Sequence, residues 1–378
     1  MAAAAPMEAQ TSKPPSDPSS ATYPRLAEPP AVSCVCLHIP DGLDARDSEV
    51  LAAHGDSVLI EVSIEEKHGY MTDHFVYNAG DAAADPPRLP SLSLLPPFHL
   101  AYHGTGLVRH GEDELVVAQL LTVSAARPEP ATLELMRVAD LSLFRAGEWS
   151  VRRLQIRFRD ASKVRELPSF WNAVVAVGDR LLCWVDQRLL GVMLCDEFEE
   201  TPRLQYLLLP RENICGQPSN RNVCATAGGD GDTLKFVNIF PHCCCGGDGA
   251  SGCKRSRHAY TIHTWTMRIG NDNDDIGWVK DGMVDAIKLW GLDSYKGLRW
   301  FPLDHPVVSM DDPDLICFWL HEPPVDGYWN YRDRIFVTAA HNVACHHPLL
   351  GMKWPPMLAE AIGQVFLSQT VSKALLCL

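Results

Sequence analysis

The chain has 378 residues, 46% of them hydrophobic, and a formal net charge of −14 at pH 7. That length and apolar content suffice for a large buried core, as two ordinary domains or as one large all-β domain. The acidic balance excludes the proteins that neutralise nucleic-acid phosphates with Lys and Arg, so no nucleic-acid partner is expected.

Residues 1–30 are dominated by Ala, Pro and Ser. Such a segment buries too little apolar surface to offset the entropy of ordering, and it reads as a disordered arm. The first twenty residues lack a basic n-region and an apolar h-region, and no later apolar run approaches the ~18 residues that span a bilayer. A plastid transit peptide is rich in Arg and poor in acid, whereas Glu8 and Asp17 are present and Arg is absent until Arg25. The expectation is a soluble protein of the cytoplasm or nucleus, with no membrane partner. The 13 cysteines are odd in number and scattered over apolar runs, as at Cys183, Cys195 and Cys317, which suits free thiols in a reducing compartment.

From residue 31 to 356, short β-type runs alternate with turn clusters of Gly, Pro, Asp and Asn, without a sustained 3.6-residue period. Two runs near the start, Ser33–Ile39 and Ser57–Ile64, read as strands that either close a ring of blades or form a separate flap. Paired strands then recur at Asp73–Phe98, Leu133–Ile156, Gly191–Pro210 and Ala259–Ala286, with a degenerate fifth at Asp333–Trp354. Candidate inner strands lie between them at Leu115–Val123, Ala173–Asp186, Val223–Phe240 and Leu315–Glu322. A recurring supersecondary unit of this kind predicts one all-β, β-propeller-like domain over 31–356, with about five blades. Leu181–Pro210 reads as one complete blade. The Gly-rich, charged stretch 241–258 reads as a mobile insertion, and 357–378 changes to the Ala, Leu and Gln content of a short helix or tail.

Several constellations invite a chemical reading. Asp186 and Asp196 close the two strands of one hairpin, which would let them approach each other at a sheet end; paired carboxylates serve as acid and base, but Asp more commonly accepts backbone amides of the adjacent turn. His242, Cys243, Cys244, Cys245, Cys253 and His258 are soft ligands, yet the spaced cysteine knuckle of a structural zinc site is missing and no metal is expected. Gly270–Gly277 fails the calcium-loop register, because Ile276 stands where Gly is required. No phosphate-binding loop, nucleophile elbow or dinucleotide fingerprint is present, so no cofactor and no catalytic residue are assigned. Val151–Arg165 is the one strongly basic segment. On a strand, Leu154, Ile156 and Phe158 face one side while Arg153, Arg157 and Arg159 face the other. An arginine-lined edge suits an acidic partner; alternatively the arginines pair with the chain's own carboxylates. Trp149, Trp184, Trp265, Trp278 and Trp300 read as core.

Trp184-Val185-Asp186, a turn, Gly191, an apolar strand, Cys195-Asp196 and a closing Pro210 form the most specific pattern. Together with DTLKFVNI, HTWTM, GWVKDG and PVVSMDDPDLICF it resembles the plant family named domain of unknown function sixteen-eighteen, from about Asp73 to the tail. Gln187–Leu190 departs from the aromatic residue that family often carries in the turn. The resemblance implies an architecture similar to F-box-associated propeller-like domains, with the motif residues structural, and supplies no reaction. The resulting expectation is a non-catalytic protein-interaction module whose protein partner is unidentified. The alternative is a hydrolase or carbohydrate-binding protein using acidic residues at a propeller channel.

Overall fold

The computed structural model describes residues 24–25, 34–35, 45–66, 69–81, 86–98, 100, 104–111, 114–123, 138–159, 168, 171–186, 188, 191–199, 201–210, 218–228, 231–241, 260–269, 277–285, 303–308, 313–321 and 335–341. Among these the chain is all-β. Two short strands, β1 (Pro24–Arg25) and β2 (Cys34–Val35), pair with each other, so the arm expected to be disordered contributes two residues to a ladder.

Five antiparallel meanders follow in chain order, and this repeating unit is the propeller-like one that the sequence predicts. The first holds β3 (Ala45–His54), β4 (Ser57–Glu66), β5 (Gly69–Asn78) and β6 (Ser91–Leu94). The second holds β7 (Thr105–His110), β8 (Glu114–Val123), β9 (Val138–Arg145) and β10 (Glu148–Phe158), and the third β11 (Ala173–Val177), β12 (Leu181–Asp186), β13 (Gly191–Asp196) and β14 (Leu204–Leu208). The fourth holds β15 (Arg221–Gly228), β16 (Gly231–Pro241), β17 (Tyr260–Arg268) and β18 (Val279–Asp285); the fifth has β19 (Leu303–Val308), β20 (Leu315–His321) and β21 (Ile335–His341). The run Leu181–Pro210 therefore supplies three strands of a blade rather than all four, because β11 precedes it. Ser57–Ile64 is the second strand of the first meander. The mobile-insertion expectation over 241–258 falls outside the described residues except for Pro241, which ends β16, and the C-terminal-tail expectation over 357–378 falls outside them altogether.

The chain divides into two compact units, one built on the residues up to Trp184 with Met193–Tyr206, the other on Val185–Val192 and the residues from Leu207. In the first, β4 is buried on both faces: Leu59 packs with Leu51, Val76, Leu107 and Val117, while Ile60 packs with Val50, Val62 and Tyr77. That double burial explains why such strands read as nearly continuous apolar runs. In the second, one face of β15–β17 packs Cys224, Val237, Ile239 and Ile262 against Leu303, Val308, Ile316 and Phe318. The Asn222 side-chain amide donates to the Pro306 carbonyl at 2.9 Å and ties β15 to β19.

The outer strand of the second meander has an unusual second role. Over Glu148–Gln155 β10 pairs antiparallel with β9, and over Ile156–Phe158 it pairs parallel with β14. This joins the second and third meanders into one eight-stranded sheet, ordered β11-β12-β13-β14-β10-β9-β8-β7. Between β9 and β10, Ala146 and Gly147 have φ of 52° and 88°, and two positive values match the right-handed strand twist that a two-residue hairpin needs.

Candidate functional site

The motif hairpin is built from consecutive buried residues. Trp184 is fully buried, and its indole N–H donates to the Gly104 carbonyl at 2.8 Å. Gly104 has φ +97°, and a Cβ there would lie 3.3 Å from the Leu120 carbonyl oxygen and 3.3 Å from the Trp171 ring. Asp186 is buried, and its Oδ1 accepts the Arg188 amide at 2.8 Å. Asp196 Oδ1 accepts the Phe198 amide at 2.9 Å, and its Oδ2 lies 3.0 Å from the Arg180 guanidinium. Both aspartates thus make the turn-closing bond common for this residue. Asp196 sits beside Arg180, just before the start of β12, whereas Asp186 ends that strand. The expectation that the two carboxylates approach at one sheet end is therefore corrected, because they occupy opposite ends of the hairpin. Gly191 and Cys195 are buried, and Pro210 is half-buried beyond β14.

Glu197, one residue past β13, carries the most perturbed carboxyl among the described residues, and nothing in the CDEFEE run singles it out. Only 1% of it is exposed, and burial raises its pKa from 4.5 to about 8. The Cys195 thiol lies near enough to oppose that shift, although its geometry falls short of a hydrogen bond to either carboxyl oxygen. Burial also raises the thiols of Cys183, Cys195 and Cys317, so these cysteines are protonated and unreactive at neutral pH. Cys183, Cys195, Cys224 and Cys317 are free and buried.

Strand ends from the three meanders of the first unit meet in a polar clamp. Arg109 Nε donates to Ser57 Oγ at 2.8 Å and lies 3.1 Å from Asp56 Oδ1, while its NH2 group reaches Asn78 Oδ1. The Arg109 backbone N–H donates to His54 Nδ1 at 3.0 Å, which leaves the ring proton on Nε2. Burial, partly opposed by the Gly178 backbone and Asp179, holds the His54 pKa below 6.5, so the ring is neutral at pH 7. Ser57 bonds Arg109 and Asn78 rather than a histidine, and the cluster has the geometry of a clamp.

On β10 the predicted alternation is present: Ile156 is buried, Leu154 and Phe158 are half-buried, and Arg153, Arg157 and Arg159 are exposed, as is Arg152. The Arg153 fork grips Asp140 at 2.7 and 2.8 Å, so at this position the arginine does pair with the chain's own carboxylate. This bidentate bond lowers the Asp140 pKa. Val151 is 60% exposed, and Leu121 on β8 shares a cross-strand row with Asp140 and Arg153. The strip is thus basic with apolar interruptions. Its residues 148–158 are held by ladders from β9 and then β14.

Trp184 and Trp265 are core; Trp149 is half-buried and stacks on Phe98 at 4.3 Å. Trp278 is half-buried, and Trp300 lies outside the described residues, as do the cysteine-rich loop and residues 270–276. Among the described residues no group of three or more His, Cys, Asp or Glu side chains is arranged to hold a metal ion, and no helix is long and apolar enough to cross a membrane.

Residues 184–317 match the family described as protein of unknown function (DUF1618), a span that opens at Trp184 rather than near Asp73. No curated protein sequence matches the chain. Among solved structures, Trypanosoma rangeli sialidase in complex with sialic acid is similar with a TM-score of 0.35 and 9% identity, over 82% of this chain and 47% of that one. The catalytic domain of a GH62 α-L-arabinofuranosidase from Coprinopsis cinerea has a TM-score of 0.29 and 11% identity, over 78% and 89%. The β-propeller domain of the Trilobed protease from Pyrococcus furiosus has a TM-score of 0.28 and 9% identity, over 75% and 79%. Likenesses at these scores carry no inference about chemistry.

Proposed function

We propose that this chain, whose central stretch is a domain of unknown function and so inherits no activity, is a non-catalytic protein-interaction module that docks an acidic protein segment on β10. The observation that carries this reading is the exposed row of Val151, Arg153 and Arg157, continued by Arg159 just past the strand, on one face of a strand already held by its ladders. Guanidinium forks suit carboxylates in two-point contacts, and a scaffolded strand loses little freedom on binding. Arg153 can exchange Asp140 for a partner carboxylate, because an exposed pair is screened and weakly held. Among the described residues the hydrolase reading has one carboxyl with a strongly raised pKa, Glu197, but its burial removes it from any substrate.

The test is affinity capture from native tissue with the wild-type chain and with Arg153, Arg157 and Arg159 all changed to Glu, both checked for equal thermal stability. Capture of an acidic partner that is lost in the variant, and that weakens between 50 and 300 mM salt on the order expected for screened charges, is the expected outcome. Capture that survives charge reversal discards β10 as the docking surface.

A further inference from the structure

The outer strand of a meander has one edge in a ladder and one edge turned outward, and the outer strands of this chain treat that edge differently. β6 is only four residues long, and β18 is interrupted where Asp281 bulges out between the pairs of Thr264 and Trp265. Short length and bulges are ordinary ways of blunting a sheet edge. β10 has neither: it is 11 residues long, and its register with β9 runs unbroken from Glu148 to Gln155.

The far edge of that stretch is open among the described residues. β14 joins β10 only at Ile156, Arg157 and Phe158. Continued upstream, the same parallel register would set Pro202 beside Leu154, and proline has no amide hydrogen to give to a ladder. The four consecutive side chains from Ser150 to Arg153 are all exposed, although they alternate between the two faces, so the strand is uncovered on both sides here. The hairpin loop then decides which backbone groups face outward. β9 and β10 are joined by two residues, Ala146 and Gly147, and the flanking pair of such a loop, Arg145 and Glu148, exchanges both ladder bonds. Alternation turns the N–H and C=O groups of Trp149, Val151, Arg153 and Gln155 away from β9, toward the open edge.

We propose that β10 takes its acidic partner by strand addition: an extended segment pairs with the Glu148–Gln155 edge, main chain to main chain, and sets carboxylates beside Arg153 and Arg157. This rests on the docking reading above and adds its mode. In strand addition the main-chain bonds supply affinity, and the side chains at alternate positions supply specificity. Charge selects the occupant. The same edge of a second copy would bring the arginines of two strands together, and like charges opposed across strands are destabilising. A strand with carboxylates at every second position meets Val151, Arg153 and Arg157 on their shared face with opposite charge.

The probe is a fluorescein-labelled octapeptide of alternating Glu and Thr, with its anisotropy followed as the full chain is added. It should bind the wild type and weaken at least about tenfold when Arg153, Arg157 and Arg159 are changed to Glu, which tests the docking reading itself. Two isomers of the peptide, N-methylated on every Glu or on every Thr, keep the charge but lose the amide hydrogens of one edge. Successive residues of a strand send their amides to opposite edges, so one isomer should lose at least about tenfold in affinity and the other should stay within about threefold. Isomers that both keep binding, or lose it equally, overturn strand addition and leave the charge-based docking standing. No binding of the unmodified peptide overturns both. In the chain, Val151→Pro removes an outward N–H that the β9 ladder does not use, and it should weaken binding at least about tenfold while Val151→Thr does not. Unchanged affinity in a folded Val151→Pro chain likewise overturns the proposal, and if that variant does not fold the methylated peptides decide.

Discussion

At the scale of single residues, the sharpest consequence belongs to Glu197. Its folded pKa of about 8 stands above the ordinary 4.5, so between those values the folded chain keeps a proton that the unfolded chain has released. Stability from this group is therefore fully present below pH 4.5, declines as pH rises, and levels off above about 8, a total on the order of several kcal/mol. His54 acts in the other direction: its lowered pKa means that stability falls as pH drops through 6.5. Glu197→Gln keeps the shape and removes the charge. Urea unfolding from pH 5 to 8 should show the variant gaining on the wild type steadily over that range, with the His54 slope retained below 6.5. A constant difference at every pH contradicts a buried, protonated Glu197. Asp186 and Asp196 teach a different lesson at this scale: their residue type predicted turn bonds, and turn bonds are what both make.

At the scale of elements, the approach of β7 to β11 depends on a missing side chain. A Cβ on Gly106 would stand 2.5 Å from Val174 Cγ1, and Val is stiff about χ1, so it cannot swing aside. Gly106→Ala should therefore destabilise the chain by about 1–3 kcal/mol through overpacking. Adding Val174→Ala should return a large part of that loss, and a double-mutant cycle by chemical denaturation measures the coupling. Additive losses in the cycle refute the close approach. The outer pairs of each meander were legible as elements because strands with one wet face alternate with period two, as β5, β9 and β10 do. β11 was harder to separate from β12, since AVVAV and LLCWVD are buried runs joined only by Gly178-Asp179-Arg180. The parallel contact of β10 with β14 had no signature at all, because three ladder pairs between strands some fifty positions apart leave no local pattern.

At the scale of the whole molecule, a net charge of −14 means that the folded chain repels itself. Raising NaCl from 10 to 200 mM at pH 7 should raise Tm, since the Debye length falls to about 7 Å in this range and screens the long-range repulsion more than the close pairs. A falling Tm shows instead that ion pairs such as Arg109–Asp56 and Arg180–Asp196 outweigh it. The sequence by itself determined the all-β class, the recurring paired strands and the Trp184–Asp196 motif, because side-chain periodicity and turn chemistry are local properties. Only the tertiary structure decided that Trp184 bonds Gly104, that Arg153 is held by Asp140, that Glu197 loses its solvent, and that β14 joins β10 from Ile156 onward. Burial, pKa and cross-strand adjacency are set by neighbours distant in the chain, and these quantities exist only once the strands have packed.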